Sequence, residues 1–290
     1  MDNDRPRRRP RSQLTEPDLR LLALAAEHRL VLTAHAQALL GVSARAAGRR
    51  LAALARGRYL RTDHQLAGRR WYQIDRRGLA AVGSSLGRPR NVDLATYEHD
   101  IGLAWLWLAA HRGAFGATRA VVSEREMRSA DRRAERFAEP LGVRLPGAGP
   151  HGGDRRHYPD LLLETHTGHR VAIELELTSK SPRRREEILG GYAIDARFDA
   201  VLYLVDRHAV GQAIAGTAVK LGMSDLVHLQ RVAFGPGAGG ISPGRNPERT
   251  HAPVSRTAPT AQTAPAGRTA PTARIAATGR AAPGTEAERG

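Results

Sequence analysis

Three carboxylates and an ammonium group lie close together in one part of the 290-residue chain. Asp160 follows Tyr158 and Pro159, Glu174 and Glu176 stand two residues apart, and Lys180 comes four residues after Glu176. Glutamates two apart on a strand share a face. They repel one another unless a cation, a proton or a basic partner compensates them.

The pattern around these residues predicts two strands. Val171, Ile173, Leu175 and Leu177 alternate with Glu174, Glu176 and Thr178, a period of two that puts the apolar set on one face and the acids on the other. The run 160–164 forms the partner strand, and the turn through Thr167, Gly168 and His169 closes a hairpin that brings Asp160 near Glu174. Ahead of them the spacing predicts a largely buried helix over 94–112, with Glu98, His99 and Asp100 near its start and Trp105 and Trp107 as core residues. His99 reads as a surface or hydrogen-bonded core histidine. A strand over 119–124 ends at Glu124, and 125–157 has little periodicity and reads as a loop with a helical piece. Beyond the hairpin, Ser181 caps a helix over 182–197 with Pro182 in its first turn. A buried strand over 201–205, a helix over 209–221 and a strand over 226–234 follow.

Composition narrows the class. No cysteine is present, which excludes disulfides, cysteine-ligated zinc and thiol catalysis. No apolar run reaches the roughly 18 residues of a membrane span, and the basic amino terminus has no apolar stretch behind it, so the expectation is a cytoplasmic, nucleoid-associated protein with no membrane partner. Residues 1–90 hold 19 arginines against 7 acids, and 237–290 hold 7 against 3, so the middle of this +16 chain is neutral. Basic ends around a neutral body point to a polyanion. Of the 45 basic residues only Lys180 and Lys220 are lysines, which makes Lys180 stand out.

The first ninety residues read as a DNA-binding module. Thr15 is an N-cap for a helix reaching Glu27, Thr33 for one reaching Leu40, and Ser43, after the Gly41-Val42 turn, for a third reaching Arg56. On the third helix Ala47, Leu51 and Leu54 form the inward stripe, while Arg45, Arg49 and Arg56 project from the other side. Strand-like runs over 59–63 and 70–74, joined through a turn containing Leu66 to Arg69, read as a wing. This predicts a winged helix-turn-helix with Arg45, Arg49, Arg50 and Arg56 toward the major groove of double-stranded DNA and Arg69 and Arg70 against phosphate or the minor groove. RNA binding, protein docking and a merely solvated arginine face are the alternatives. A further helix over 76–86 and the Gly87-Arg88-Pro89-Arg90 linker end the module.

The order helix, three strands, helix, strand, with a further helix and strand, is that of the PD-(D/E)xK nuclease core. The chain resembles that superfamily at Pro159-Asp160, thirteen intervening residues, then Glu174-x-Glu176. Glu176 stands where the family's lysine is usual, with Lys180 on the same parity. The resemblance implies that Asp160 and Glu174, with Glu124 or Glu98 as an extra acid, hold one or two Mg²⁺ (or Mn²⁺) ions that activate water and neutralise phosphate charge. Glu176 would complete the metal shell or act as general base, and Lys180 would stabilise developing negative charge. Arg183, Arg184 and Arg185 open the following helix at its positive end, the wrong sign unless a phosphate docks there.

Residues 14–235 also resemble the replication-relaxation family of actinobacterial and plasmid proteins. The likeness rests on Leu14-Thr15, Ala46-x-x-Arg49-Arg50-Leu51-x-x-Leu54, Tyr72-x-Ile74-x-x-x-Gly78, Glu98-His99-Asp100, Pro159-Asp160 and Ile173 to Thr178. It implies a role in replication or maintenance of a plasmid or integrated element. The expected organisation is α/β, or α+β overall: a basic arm (1–13), the winged helix (14–90), a restriction-endonuclease-like mixed-sheet domain (91–235) and a disordered Pro/Ala/Thr/Arg tail (236–290). Two functions stay open. One is a DNA-binding protein whose core cuts or nicks DNA with Mg²⁺; the other is a regulator without catalysis, whose body serves dimerisation, as a homodimer, or docking.

Overall fold

The computed structural model describes residues 13–62, 69–134, 138–149, 154–234 and 241–243. Helix α1 (Glu16–Glu27) opens where the Asp18 carboxylate accepts from the Thr15 amide at 2.9 Å and the Thr15 hydroxyl at 2.6 Å, with Pro17 in the first turn, where a missing N–H is tolerated. Strand β1 (Val31–Leu32) runs straight into α2 (Thr33–Leu40). Thr33, expected as the cap, is the first helical residue. Leu32 holds the cap position instead, and the buried His35 ring reaches back so that its Nδ1 accepts the Leu32 amide at 3.0 Å. Burial pushes the His35 pKa down to about 3, leaving that nitrogen free to accept.

Gly41, with φ +67°, ends α2 in the left-handed conformation. The Ser43 hydroxyl then accepts the Ala46 amide at 3.3 Å to open α3 (Ala44–Arg56). Strands β2 (Leu60–Thr62) and β3 (Trp71–Ile74) are antiparallel, and β1 pairs on the other edge of β3, giving the order β1-β3-β2. The turn that joins β2 to β3 falls at 63–68, outside the described residues. Helix α4 (Arg76–Ala81), capped by Asp75, is shorter than expected and is followed by Gly83 at φ +61°.

Helix α5 (Tyr97–His111) is apolar around most of its circumference, the mark of a helix buried on two sides. Tyr97, Ile101, Trp105 and Leu108 join the core built by α1 to α4, and Leu106 and Ala110 join the core over the central sheet. One hydrophobic core therefore continues past residue 90 into the body.

The body follows as β4 (Thr118–Ser123), α6 (Glu124–Arg133), the hairpin β5 (Val143–Ala148) and β6 (Asp154–His157), then β7 (Leu161–Thr165) and β8 (Arg170–Glu176). The stretch 125–157 is thus more regular than its weak periodicity suggests: its strands are stabilised by packing on α7, a contact no local pattern encodes. Helix α7 (Pro182–Ile194), β9 (Ala200–Val205), α8 (His208–Lys220), β10 (Val227–Phe234) and β11 (Ile241–Pro243) complete the described chain. The central sheet has the order β11-β10-β9-β8-β7-β4; β4, β7 and β8 pair antiparallel, β8, β9 and β10 parallel. The protein is mixed α+β; the expected elements occur in their expected order, with β1, the β5–β6 hairpin and β11 added to them. Among the described residues no helix is long and apolar enough to cross a membrane.

Strand alternation decides which helix each residue meets. Ile173 and Leu175 share a core with Leu106 of α5, whereas Ala172 shares one with Ile188 and Tyr192 of α7 and Ile214 of α8. Glu174 and Glu176 have the parity of Ala172. The acidic face is therefore roofed by α7 and α8, and the two glutamates are only 3% and 5% exposed.

Candidate functional site

The β7–β8 register sets Leu161 against Ile173, so Asp160 falls across from Glu174 at the head of the hairpin. Here Asp160 Oδ2 accepts the Leu175 amide at 2.7 Å and lies 3.3 Å from Nε2 of His99, which is itself 3.2 Å from the Leu175 carbonyl. Burial works against both charges, yet their mutual attraction wins. His99 is raised to about 9 by the Asp160 carboxylate despite its burial, and Asp160 is held below the usual carboxylate range, chiefly by His99.

Glu174 is held from the other side. Its Oε1 lies 2.5 Å from His157 Nε2 at the end of β6 and accepts the Tyr192 hydroxyl of α7 at 2.5 Å. Burial beside Glu174 drives the Tyr192 pKa well up, so its proton stays on as a donor. Glu176 is paired with the Lys180 ammonium. Burial raises its pKa against the pull of Lys180, with Glu174 and Asp160 adding like charge. Glu124 begins α6, where its Oε1 takes Arg128 Nε at 2.7 Å and its amide donates to the Asp160 carbonyl at 3.2 Å.

The three acids expected to share a metal are thus each engaged by a different protein donor. A magnesium site needs carboxylate oxygens turned to one point about 2.0–2.1 Å from the ion. Among the described residues no group of three or more His, Asp or Glu side chains is arranged to hold a metal ion. As arranged, Asp160, Glu174 and Glu124 do not fit a Mg²⁺ or Mn²⁺ centre. Glu98 does not join the cluster through any ion pair among the described residues. Lys180 lies against Glu176.

Next to Asp160 lies a small cavity of about 20 Å³, lined by Glu27, His28 and Arg29 from the end of α1, Asp100 from α5, and Glu124 and Arg125 from α6. Its walls fasten the N-terminal elements to the body. Ser123 donates to Glu27 at 2.5 Å, Arg29 stands 3.8 Å from Asp100, and Arg125 donates to the carbonyls of Ala26 at 3.1 Å and Gly87 at 2.7 Å.

The arginines of α3 divide into two kinds. Arg45, Arg49 and Arg56 are exposed and form no ion pair among the described residues, and 3.6 residues per turn puts them within about 40° of one another around the axis. Ala47, Leu51 and Leu54 are buried on the opposite side. Arg50 is instead half-buried and structural: it donates to Asp18 at 2.8 Å and to the Thr15 hydroxyl at 2.9 Å, tying α3 to the start of α1. Arg70 is exposed and Arg69 half-buried, both next to the undescribed turn. Arg183 and Arg184 sit in the first turn of α7, both 3.3 Å from Glu187, and Arg185 donates to the Thr217 hydroxyl at 2.7 Å. That local carboxylate accounts for part of the like charge at the helix's positive end.

His99, His157 and Tyr192 are the members of the cluster that sequence reasoning did not assign. His99 carried a signal, lying between two acids at the head of a buried helix. His157 is two residues before Pro159, at the end of an aperiodic stretch, and Tyr192 reads only as part of an apolar helix stripe. No family model, characterised protein or solved structure matches the chain.

Proposed function

We propose that this is a double-stranded DNA-binding protein acting in replication or maintenance of a plasmid or integrated element, with residues 14–90 as a winged helix-turn-helix and α3 as its recognition helix. The observation that carries this reading is the unpaired arginine face of α3. Three guanidinium groups held on one side of a helix whose other side is locked in the core have no carboxylate among the described residues to answer them, and a phosphate backbone supplies that charge. The order α1-β1-α2-α3-β2-β3 and the β1-β3-β2 sheet support the winged-helix reading, with Arg69 and Arg70 flanking the wing. The replication-relaxation likeness supplies the biological role.

In this reading the body is nuclease-like, and one oxygen of each of its acids Asp160, Glu174 and Glu176 is already engaged by His99, by His157 and Tyr192, and by Lys180. These separate engagements support the reading of a non-cutting body that supports the DNA-binding module and serves docking or dimerisation over a metal-dependent nickase.

The test is fluorescence anisotropy of a labelled duplex titrated with the full chain at several salt concentrations. Replacing Arg45 and Arg49 with alanine is expected to weaken binding about tenfold or more and to flatten the salt dependence by roughly one to two in log–log slope. Unchanged affinity at moderate salt would count against α3 as the reading element.

A further inference from the structure

Outside α3, positive charge gathers on a second surface, where the β5–β6 hairpin packs over α7. Gly191 of α7 marks how close the approach is: a Cβ there would lie 2.9 Å from the Arg144 carbonyl. Across this seam Arg155 Nη2 of β6 lies 2.9 Å from Glu187 Oε2, and Arg183 and Arg184 crowd onto the same carboxylate at 3.3 Å each. On the hairpin itself Arg144 and Arg156 share Asp154, at 3.3 and 2.8 Å. Five guanidinium groups are therefore answered by two carboxylates. Nearby Asp195 and Glu139 add nothing to the balance because both lie against Arg197, and Glu186 is taken by Lys220.

Several facts make this surface suited to phosphate. Every cation among the five is arginine, whose planar fork matches phosphate oxygens two at a time. The side chains of Arg183 and Arg144 are 90% and 73% exposed, so their forks can turn outward. Arg183 and Arg144 hold their carboxylates from exposed positions, where an ion pair is worth little, so turning them to a phosphate costs little. The first turn of α7, with Ser181 as cap and Pro182 after it, adds the positive end of a 13-residue helix to the same place.

We infer that the face formed by the β5–β6 hairpin and the first turn of α7 is a second phosphate-binding surface for duplex DNA, separate from α3 and carried by Arg144, Arg155, Arg156, Arg183 and Arg184. The choice of duplex DNA rests on the function proposed above. The surface lets the body itself hold the duplex, so that binding does not depend on the N-terminal module alone.

The experiment uses the full chain and the same labelled duplex over a salt series, comparing three double variants: Arg144→Glu with Arg183→Glu, Arg45→Ala with Arg49→Ala, and Arg20→Glu with Arg119→Glu as a charge-matched control. Thermal melts confirm that each is folded. The expected result is that the hairpin variant binds at least about tenfold more weakly than the control and loses roughly one to two units of salt slope. Equal binding by the hairpin variant and the control overturns the inference. If the hairpin variant weakens while the α3 variant binds as the unaltered chain does, the second surface stands and the recognition-helix reading falls; the reverse pattern sinks the second surface alone.

Discussion

His99 and Asp160 form an ion pair, Nε2 to Oδ2 at 3.3 Å, that joins the first turn of α5 to the head of the β7–β8 hairpin. The next residue along, Asp100, faces Arg29 of the N-terminal elements at 3.8 Å. Two consecutive residues of one helix thus hold the body and the N-terminal module.

This pair gives a pH signature. The folded His99 pKa is raised from 6.5 to about 9, so its stabilisation is fully present below about 6.5 and is lost as pH rises through 9. Asp160 is depressed, so its share is present above its ordinary value of 3.8 and is lost as pH falls further. With the imidazole about one-third exposed, screening reduces the contribution to about 1–2 kcal/mol. Urea melts between pH 7 and 10 should show that loss, and His99→Gln should remove it. A variant that keeps the full alkaline decline would assign the decline elsewhere.

Tyr192→Phe takes away one of the two donors on Glu174 while keeping the packed ring. It should destabilise the protein by about 1–3 kcal/mol. Glu174→Ala, which orphans both His157 and Tyr192, should cost more, about 3–5 kcal/mol. Chemical denaturation of the two variants checks the order; equal costs would mean that the His157 contact adds nothing to the hold on Glu174.

Gly78 has no room for a methyl group. A Cβ there would lie 2.3 Å from the Tyr59 carbonyl oxygen and 2.6 Å from Ile74 Cδ1. Since the nearer obstacle is backbone, Gly78→Ala should cost at least about 1–3 kcal/mol by forcing α4 off β2 and β3. A melting temperature within a degree of the unaltered chain would show that α4 shifts freely.

Adjacent arginines on α3 should separate stability from binding. Arg50→Ala breaks the tie to Asp18 and Thr15 and should lower stability by about 1 kcal/mol, whereas Arg49→Ala should leave the melt unchanged and weaken duplex binding. The opposite assignment in melts and anisotropy would exchange the roles given to the two residues.

Supercoiled plasmid incubated with the protein in Mg²⁺ or Mn²⁺ should remain supercoiled, and the melting temperature should be the same in millimolar Mg²⁺ as in EDTA. Nicking that disappears in Asp160→Ala, or a metal-dependent rise in melting temperature, would show that the carboxylates leave their present partners to gather around an ion.

Much of this protein is written locally. Ser43, Gly41 and Thr15 mark the ends of α1 to α3 because capping and left-handed turns are short-range needs, and the alternation of Ile173, Glu174, Leu175 and Glu176 specifies both the strand and its two faces. The opposition of Ala47, Leu51 and Leu54 to Arg45, Arg49 and Arg56 follows from helical periodicity alone. What lies across each face was not written there. Periodicity says that Glu174 and Glu176 share a side, but only the packing of α7 and α8 decides that the side is buried, and only the fold brings Tyr192 and His157, 18 and 17 residues distant, onto Glu174 and His99 of α5 onto Asp160. In the same way the β5–β6 hairpin exists through its seat on α7. Sequence determined which groups are acidic and which way each points from its own strand; tertiary structure decided which partner meets each charge, because a buried charge is set by neighbours that the chain supplies from far away.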